Sequence, residues 1–409
     1  MRVHTGVAAL KILFVAPRFP DPPTQGDRLR AYELLRRLSS QHEIVLVAPD
    51  QPRAASVARH LGVEWVPVVL SRFDRLAAPL RALISGLPLQ VALLCPPAMI
   101  AAVRQVLSIH RFDLIHLHTA RVGPIAAQAT IPIVTDFIDA LSLNMHRRAE
   151  RERMPRRWVF AWEAHRMARY EQQLLRQSAA ACVVAPADAQ VLGQMVQVIP
   201  MGVDRQRFVA DDTPRDPATL ILSGRMAYFP NADAAHYLAH DILPLVHASR
   251  PDVRLRIVGA DPPSAVQSLA VLPGVEVVGR VADMAAELRR ATIAVAPLRS
   301  GTGIQMKVLE AMACGTPVVA TPLALAGVAA QPQQHALVGA EPAELAAAIV
   351  QLLDQPHVRA RLAAAAQQLV WQHYDWDQIT MVIEQLYRDV VLRRNGASRA
   401  TNPWRSEAI

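Results

Sequence analysis

The chain has 409 residues, 52% of them hydrophobic but only 5% aromatic, so Ala, Val and Leu must fill its interior, and the length suggests two domains. Its three cysteines, Cys95, Cys182 and Cys314, are odd in number and lie at no metal-ligand spacing, which argues against a disulfide framework and for a reducing cytoplasm. The formal net charge of +8 is concentrated in residues 1–200, where 24 Lys+Arg face 15 Asp+Glu.

Met1–Leu10 lacks the apolar core of a secretory signal and reads as an extension ahead of the first strand. Strands are predicted at Lys11–Phe19, Glu43–Pro49, Val63–Leu70, Asp113–His118, Ile131–Phe137 and Cys182–Ala185, with helices between them, among them Gly26–Ser40 and Arg53–Leu61. Near-continuous Val/Ile/Leu strands alternating with helices predict a parallel sheet covered on both faces.

Two stretches interrupt this rhythm. Ala82–Val103 carries no charge, but Gly86, Pro88, Pro96 and Pro97 would break a spanning helix. It reads as a buried connector, with a segment dipping into a membrane surface as the alternative. Arg147, Arg148, Arg151, Arg153, Arg156 and Arg157 then crowd one short segment. A solvated helix face and a contact for anionic lipid or phosphate both fit. Nucleic acid does not, because no binding motif and no base-stacking aromatic spacing accompanies the cluster.

The pattern restarts after "VIPMGVDRQRF" (198–208) and a polar stretch, "VADDTPRDPAT", that reads as a linker. Strands follow at Leu220–Ser223, Arg254–Val258, Val275–Val278, Ile293–Ala296 and Pro317–Ala320, then helix from Glu341 to about Arg394 and a frayed end. The fold class is α/β, two doubly wound Rossmann-like domains facing across a cleft. Their expected bounds are 1–203 and 204–375, with 376–409 a helix returning to the first domain.

Ligands of such sheets bind beyond the carboxyl ends of the strands. The stretch "PLRSGTGIQMKVLEAMACGTPVVAT" (297–321) sits there. Ser300–Gly303 is a loop of small residues before a predicted helix beginning near Ile304, where backbone amides can approach an anion. Lys307 is one of only two lysines, the other being Lys11, although Arg is used 41 times. A compact cation beside a glycine loop suits a phosphate. Glu310 lies one turn on among apolar residues, where an unpaired carboxylate costs several kcal/mol; a ribose diol or a nearby Arg would satisfy it.

These residues, with "SGRMAYFPNADAAHYL" (223–238), "RLRIVGADPP" (254–263), "VEVVGRVADMAAELRRAT" (275–292) and "VIPMGVDRQRF", resemble a GT-B glycosyltransferase of the retaining family 4 type, closest to bacterial sugar transferases of exopolysaccharide clusters. The resemblance is strong over about a hundred residues of the second half and rests on layout and short motifs in the first. It implies that Glu310 holds the nucleotide ribose, that Arg225 meets the diphosphate, and that the backbone at Val281 reads the base. The family's donor-facing Glu falls on Thr302, so Thr302 with the amides of Gly301, Gly303 and Ile304 would take its place. A family Lys falls on Pro230, and Lys307 would supply that charge.

In the first half, Gly26 of "PPTQGDRLR" resembles the glycine turn near the donor phosphate. His118 of "DLIHLH" resembles the reaction-centre His, with His116 deeper in the sheet. Asp139, and less specifically Arg147 and Arg148, are acceptor-side candidates. The implied activity is retaining, metal-independent sugar transfer from a nucleoside diphosphate sugar, with no cofactor, to a glycan or polyprenyl-linked acceptor. His118, Lys307 and Arg225 would do the chemistry, in the cytoplasm and at the inner face of the plasma membrane. A nucleotide-sugar epimerase or hydrolase on the same fold, and a non-catalytic partner of a polysaccharide assembly, are the competing readings.

Overall fold

The structure, a computed structural model, describes residues 9–301, 303–394 and 396. The described parts of Met1–Pro200 and of Ile379–Ala408 form one compact unit, and Met201–Gln378 forms a second.

The first unit is built on seven parallel strands: β1 (Lys11–Val15), β2 (Glu43–Pro49), β3 (Glu64–Val68), β4 (Leu114–His118), β5 (Ile133–Ile138), β6 (Ala180–Val183) and β7 (Val196–Val198). They are ordered β3-β2-β1-β4-β5-β6-β7. β4 and β5 are buried along their whole length, as strands covered on both faces must be. β1 ends at Val15, short of the expected Phe19. Pro17 and Pro20 cannot donate to a ladder, and only Ala16 extends it, through a bond to the Val47 carbonyl at 3.0 Å. The strand order reverses beside β1 and β4, so residues beyond their ends gather at one place.

The uncharged stretch 82–103 is three short helices, the end of Ala78–Ser85, then Leu89–Leu94 and the start of Pro97–Ile109. The reading as a buried connector is half right. Val91, Ala92, Met99 and Val103 are buried, while Leu83, Ile84, Leu89 and Leu93 are exposed. Among the described residues no helix is long and apolar enough to cross a membrane.

The second unit carries six parallel strands, β8 (Thr219–Ser223), β9 (Arg254–Val258), β10 (Val275–Gly279), β11 (Ile293–Ala296), β12 (Val318–Ala320) and β13 (Leu337–Val338), ordered β10-β9-β8-β11-β12-β13. β7 and β13 have three and two residues, too few to show a period in sequence. The polar stretch 209–219 is not a loose tether. The Arg215 guanidinium donates to the carbonyls of Arg289, Ala291 and Gly315 at 3.0, 2.7 and 2.7 Å and ties it to the second sheet. The helical end is three helices, Pro342–Asp354, Pro356–His373 and Trp376–Arg394, divided at Pro356 and around Asp375. The expected extension before Leu10 and the frayed end lie largely outside the described residues.

Candidate functional site

In the second unit the predicted residues lie beyond the carboxyl ends of β8 and β11. Gly224 follows β8 at φ +141°, and the backbone of Gly259 after β9 crosses it so closely that a Cβ on Gly259 would stand 1.7 Å from the Gly224 carbonyl oxygen. Two glycines therefore let neighbouring strand ends converge. Lys307 Nζ reaches this crossing. It donates to Asn231 Oδ1, while Asn231 Nδ2 donates to the Arg225 carbonyl at 2.9 Å. Asn231 is the residue after Pro230, so the ammonium stands next to the position where the resemblance expects a lysine.

The helix bearing Lys307 and Glu310 runs Met306–Ala313, two residues later than expected. Lys307 is half-buried, and burial pulls its pKa down to about 8, with Glu310 opposing. Burial pushes half-buried Glu310 up to about 7, against the pull of Arg207 and Lys307. No hydrogen bond or ion pair to the Glu310 carboxylate is formed among the described residues. Gly301 and Gly303 both take positive φ, +141° and +69°, and a Cβ on Gly327 would sit 2.9 Å from the Gly303 carbonyl, so this loop lies against a glycine backbone. Ser300 Oγ is buried without a partner among the described residues. Thr302 lies outside the described residues.

Arg225 is exposed and pairs with Asp261 at 3.2 Å. The same carboxylate holds Arg280 at 3.3 Å. Val281, just past β10, packs against the core of this unit with its side chain half-buried. Asn231, Asp261, Arg280 and Arg207 join the site unannounced. All four stand within the motifs quoted above, but nothing in their spacing marks Asn231 and Asp261 as partners of Lys307 and Arg225.

In the first unit, Gly26 opens the helix Gly26–Leu38, whose first turn carries Asp27. Arg18, beyond β1, pairs with Asp27 at 3.0 Å and donates to Gln25 Oε1 at 2.7 Å. His118, the last residue of β4, places Nε2 at 2.8 Å from the Asp27 carbonyl. Since a carbonyl only accepts, the proton is on Nε2 and Nδ1 is bare. Nδ1 stands 4.0 Å from Asp136 Oδ2. Burial lowers the His118 pKa, with Asp136 opposing, so the ring is neutral.

His118 and His116, two residues earlier on β4, both have buried rings. They differ in partners. His116 stacks on Phe14 with centroids 4.3 Å apart, and its Nδ1 lies 2.8 Å from the hydroxyl of Tyr387 on the final helix. Asp136 forms a fully buried ion pair with Arg30 at 2.5 Å, and Arg30 also donates to the Pro200 carbonyl at 2.8 Å. These partners are 106 and 170 residues apart, beyond any motif.

His116, His118 and Asp136 are the one group among the described residues with ligand atoms close enough, within 4.8 Å, to hold a metal ion. The guanidinium already on the carboxylate would repel a cation there, so the arrangement suits a neutral, hydrogen-bonded histidine pair. Asp139 is half-buried, receives Asn144 Nδ2 at 3.3 Å, and is raised to about 6 by burial and by Asp188 despite Arg121. Arg147 and Arg148 lie on the helix Leu141–Arg151; exposed Arg148 covers the Phe160 ring at 4.3 Å and meets Glu152 at 3.5 Å.

Comparison with known proteins covers both halves. Residues 26–210 match the family described as "Glycosyl transferase 4-like domain" and residues 217–355 that described as "Glycosyl transferases group 1". The phosphatidyl-myo-inositol mannosyltransferase of Mycolicibacterium smegmatis is 27% identical over 401 residues, 93% of this chain and 94% of that protein. That of Mycobacterium tuberculosis strain H37Rv is 32% identical over 215 residues, 49% of this chain and 56% of that one. Among solved structures, Anabaena HepE in complex with UDP superposes with a TM-score of 0.69 at 16% identity, covering 93% of this chain and all of that one. Sucrose-phosphate synthase from Thermosynechococcus elongatus gives 0.68 at 16% identity, over 94% and 100%. The architecture is GT-B.

Proposed function

We propose that this chain, a glycosyltransferase of two Rossmann-like domains, transfers a hexose from a nucleoside diphosphate sugar to a glycan or polyprenyl-linked acceptor in polysaccharide assembly. The anomeric configuration is retained and no metal ion takes part. The observation that carries the reading is the Lys307–Asn231–Gly224 crossing with unpartnered Glu310 one turn away. It offers a cation to a diphosphate and an unsatisfied carboxylate to a ribose diol.

The leaving diphosphate gains negative charge as the sugar departs. Lys307, Arg225 and the amides of Gly301, Gly303 and Ile304 stand where that charge develops, which is the electrostatic work a metal ion would otherwise do. Arg225 must leave or share Asp261 to reach a phosphate, and its exposure permits this. Retention follows when the acceptor hydroxyl attacks the face from which the diphosphate leaves, passing its proton to the departing oxygen. His118 serves the reacting sugar or the acceptor through its Nε2–H, exchanging the Asp27 carbonyl for a substrate hydroxyl. The mannosyltransferase relatives and the UDP-bound neighbour support the donor class, and the relatives' names support an acceptor bearing a lipid. The arginines of 147–157 support action at an anionic membrane surface.

Calorimetry with UDP- and GDP-hexoses, followed by product analysis with and without an acceptor lipid, tests the reading. Donor binding with acceptor-dependent transfer, unaffected by a chelator, is expected. Sugar release or epimerisation without an acceptor would replace it with a hydrolase or epimerase, and activity lost to chelator and restored by Mg²⁺ would refute the metal-free mechanism.

A further inference from the structure

Half of the large apolar side chains exposed among the described residues fall in two segments of the first unit, 69–93 and 154–162. On the helix Ala78–Ser85 the usual order is inverted. Ala78 and Ala82 are buried, and Leu80, Leu83 and Ile84 point outward at spacings of three and four. Phe73 and Leu76 repeat this on the helix Arg72–Leu76, and Trp158 and Trp162 on the helix Arg156–Gln177. Arg166 joins the pieces, since it covers the Trp162 ring at 4.2 Å and donates to the Ala82 carbonyl at 2.6 Å. The face is rimmed by Arg72, Arg75, Arg153, Arg156 and Arg157, all exposed and without an ion-pair partner among the described residues. The acids beside them are engaged: Asp74 by Ser71 and Arg81, Glu152 by Arg148. Outward leucines and tryptophans inside a ring of unpaired cations match an anionic bilayer surface.

Beneath this face lies a cavity of about 220 Å³ with an almost wholly apolar lining, including Ile84, Leu87, Ala92, Pro97, Ile100 and Pro124. Ile84 both lines it and is 78% exposed, so the cavity opens through the face. Water gains little in so apolar a space. We infer that this cavity takes part of one acyl chain of an anionic phospholipid, drawn from the leaflet onto which the Leu83–Trp162 face docks. The inference rests on the membrane surface proposed above. It adds a hydrocarbon site lined by residues of the first unit.

The test uses the full chain with phosphatidylcholine vesicles, with or without phosphatidylglycerol bearing a photoactivatable group at mid-chain. Flotation should require phosphatidylglycerol, and crosslinks should map to residues 84–100. Leu83→Asp with Ile84→Asp should abolish flotation and crosslinking. Arg72→Ser with Arg75→Ser should weaken vesicle binding on the order of tenfold. Ala92→Trp should fill the cavity and remove the crosslink while flotation persists, and Ile100→Trp should do the same if the first variant unfolds. Crosslinks spread over the exposed face and unchanged by both fillings would overturn the cavity site. No flotation on anionic vesicles at low salt would overturn the docking face as well. Nucleotide-sugar binding is measured on each variant, so failure of the donor reading is seen separately from failure at the membrane.

Discussion

Replacing Lys307 by Met removes the ammonium that Asn231 holds beside Gly224, leaving a side chain of similar length in the same half-buried place. Burial lowers its pKa from 10.5 to about 8. At about 1.4 kcal/mol per pH unit, that difference is about 3.5 kcal/mol, the lost solvation less the pull of Glu310, which an incoming diphosphate can offset. A charge-assisted hydrogen bond is worth about 1.5–3 kcal/mol, so diphosphate affinity should fall by roughly 10- to 150-fold. Affinity for the bare nucleoside should not change. The pH dependence supplies a second reading of the same group. The amine is charged below about 8 and neutral above it, so wild-type affinity for the diphosphate should decline as pH rises through that value. Lys307→Arg should abolish the decline, because a guanidinium stays charged. Stability moves the other way. Between about 8 and 10.5 the unfolded chain holds a proton at this lysine that the folded chain has lost, so folding stability contributed by Lys307 should rise across that window and the rise should vanish in Lys307→Met. Titration calorimetry with nucleoside, monophosphate and diphosphate from pH 6.5 to 9.5 measures the affinities, and urea unfolding from pH 7.5 to 10.5 measures the stability. Equal losses for nucleoside and diphosphate, or a diphosphate affinity unaltered in the folded Met variant, would refute a phosphate role for Lys307.

Glu310→Ala should weaken nucleoside and diphosphate alike by about 1.5–3 kcal/mol, and wild-type nucleoside affinity should fall as the pH drops below about 7, where the carboxylate takes up its proton; unchanged calorimetric affinity would make Glu310 structural. His118→Ala should cut turnover by about 10²-fold or more with donor binding retained, whereas His116→Ala, which loses the Phe14 stack and the Tyr387 bond, should show its main loss in thermal stability; steady-state kinetics beside a melting curve separates the two. Arg30→Met leaves Asp136 charged and alone in the interior and should cost about 3–5 kcal/mol in urea unfolding, much of it recovered by adding Asp136→Asn.

The sequence by itself determined the two parallel sheets, because strands buried on both faces read as unbroken Val/Ile/Leu runs with helical stretches between them. It also singled out the loop and helix from Ser300 to Glu310, because small residues, a rare Lys and an isolated Glu are each costly or unusual in an apolar segment. Their short separations bring them together through local structure alone. It did not give the partners. Asn231 meets Lys307 from 76 residues away, and Arg30 meets Asp136 from 106 and Pro200 from 170. Nor did it give the partners of the histidines of "DLIHLH", since the returning final helix brings Tyr387 onto His116 while the helix after β1 lays the Asp27 carbonyl on His118. The inverted helix Ala78–Ser85 was equally hidden, because its composition is that of a core helix and only packing decides which face is left outside. Periodicity and composition report what a segment buries, and they act over one or two turns. Which distant group satisfies a buried charge, and which apolar face stays bare, is fixed only when the strands take their order in the sheet and carry those groups into contact.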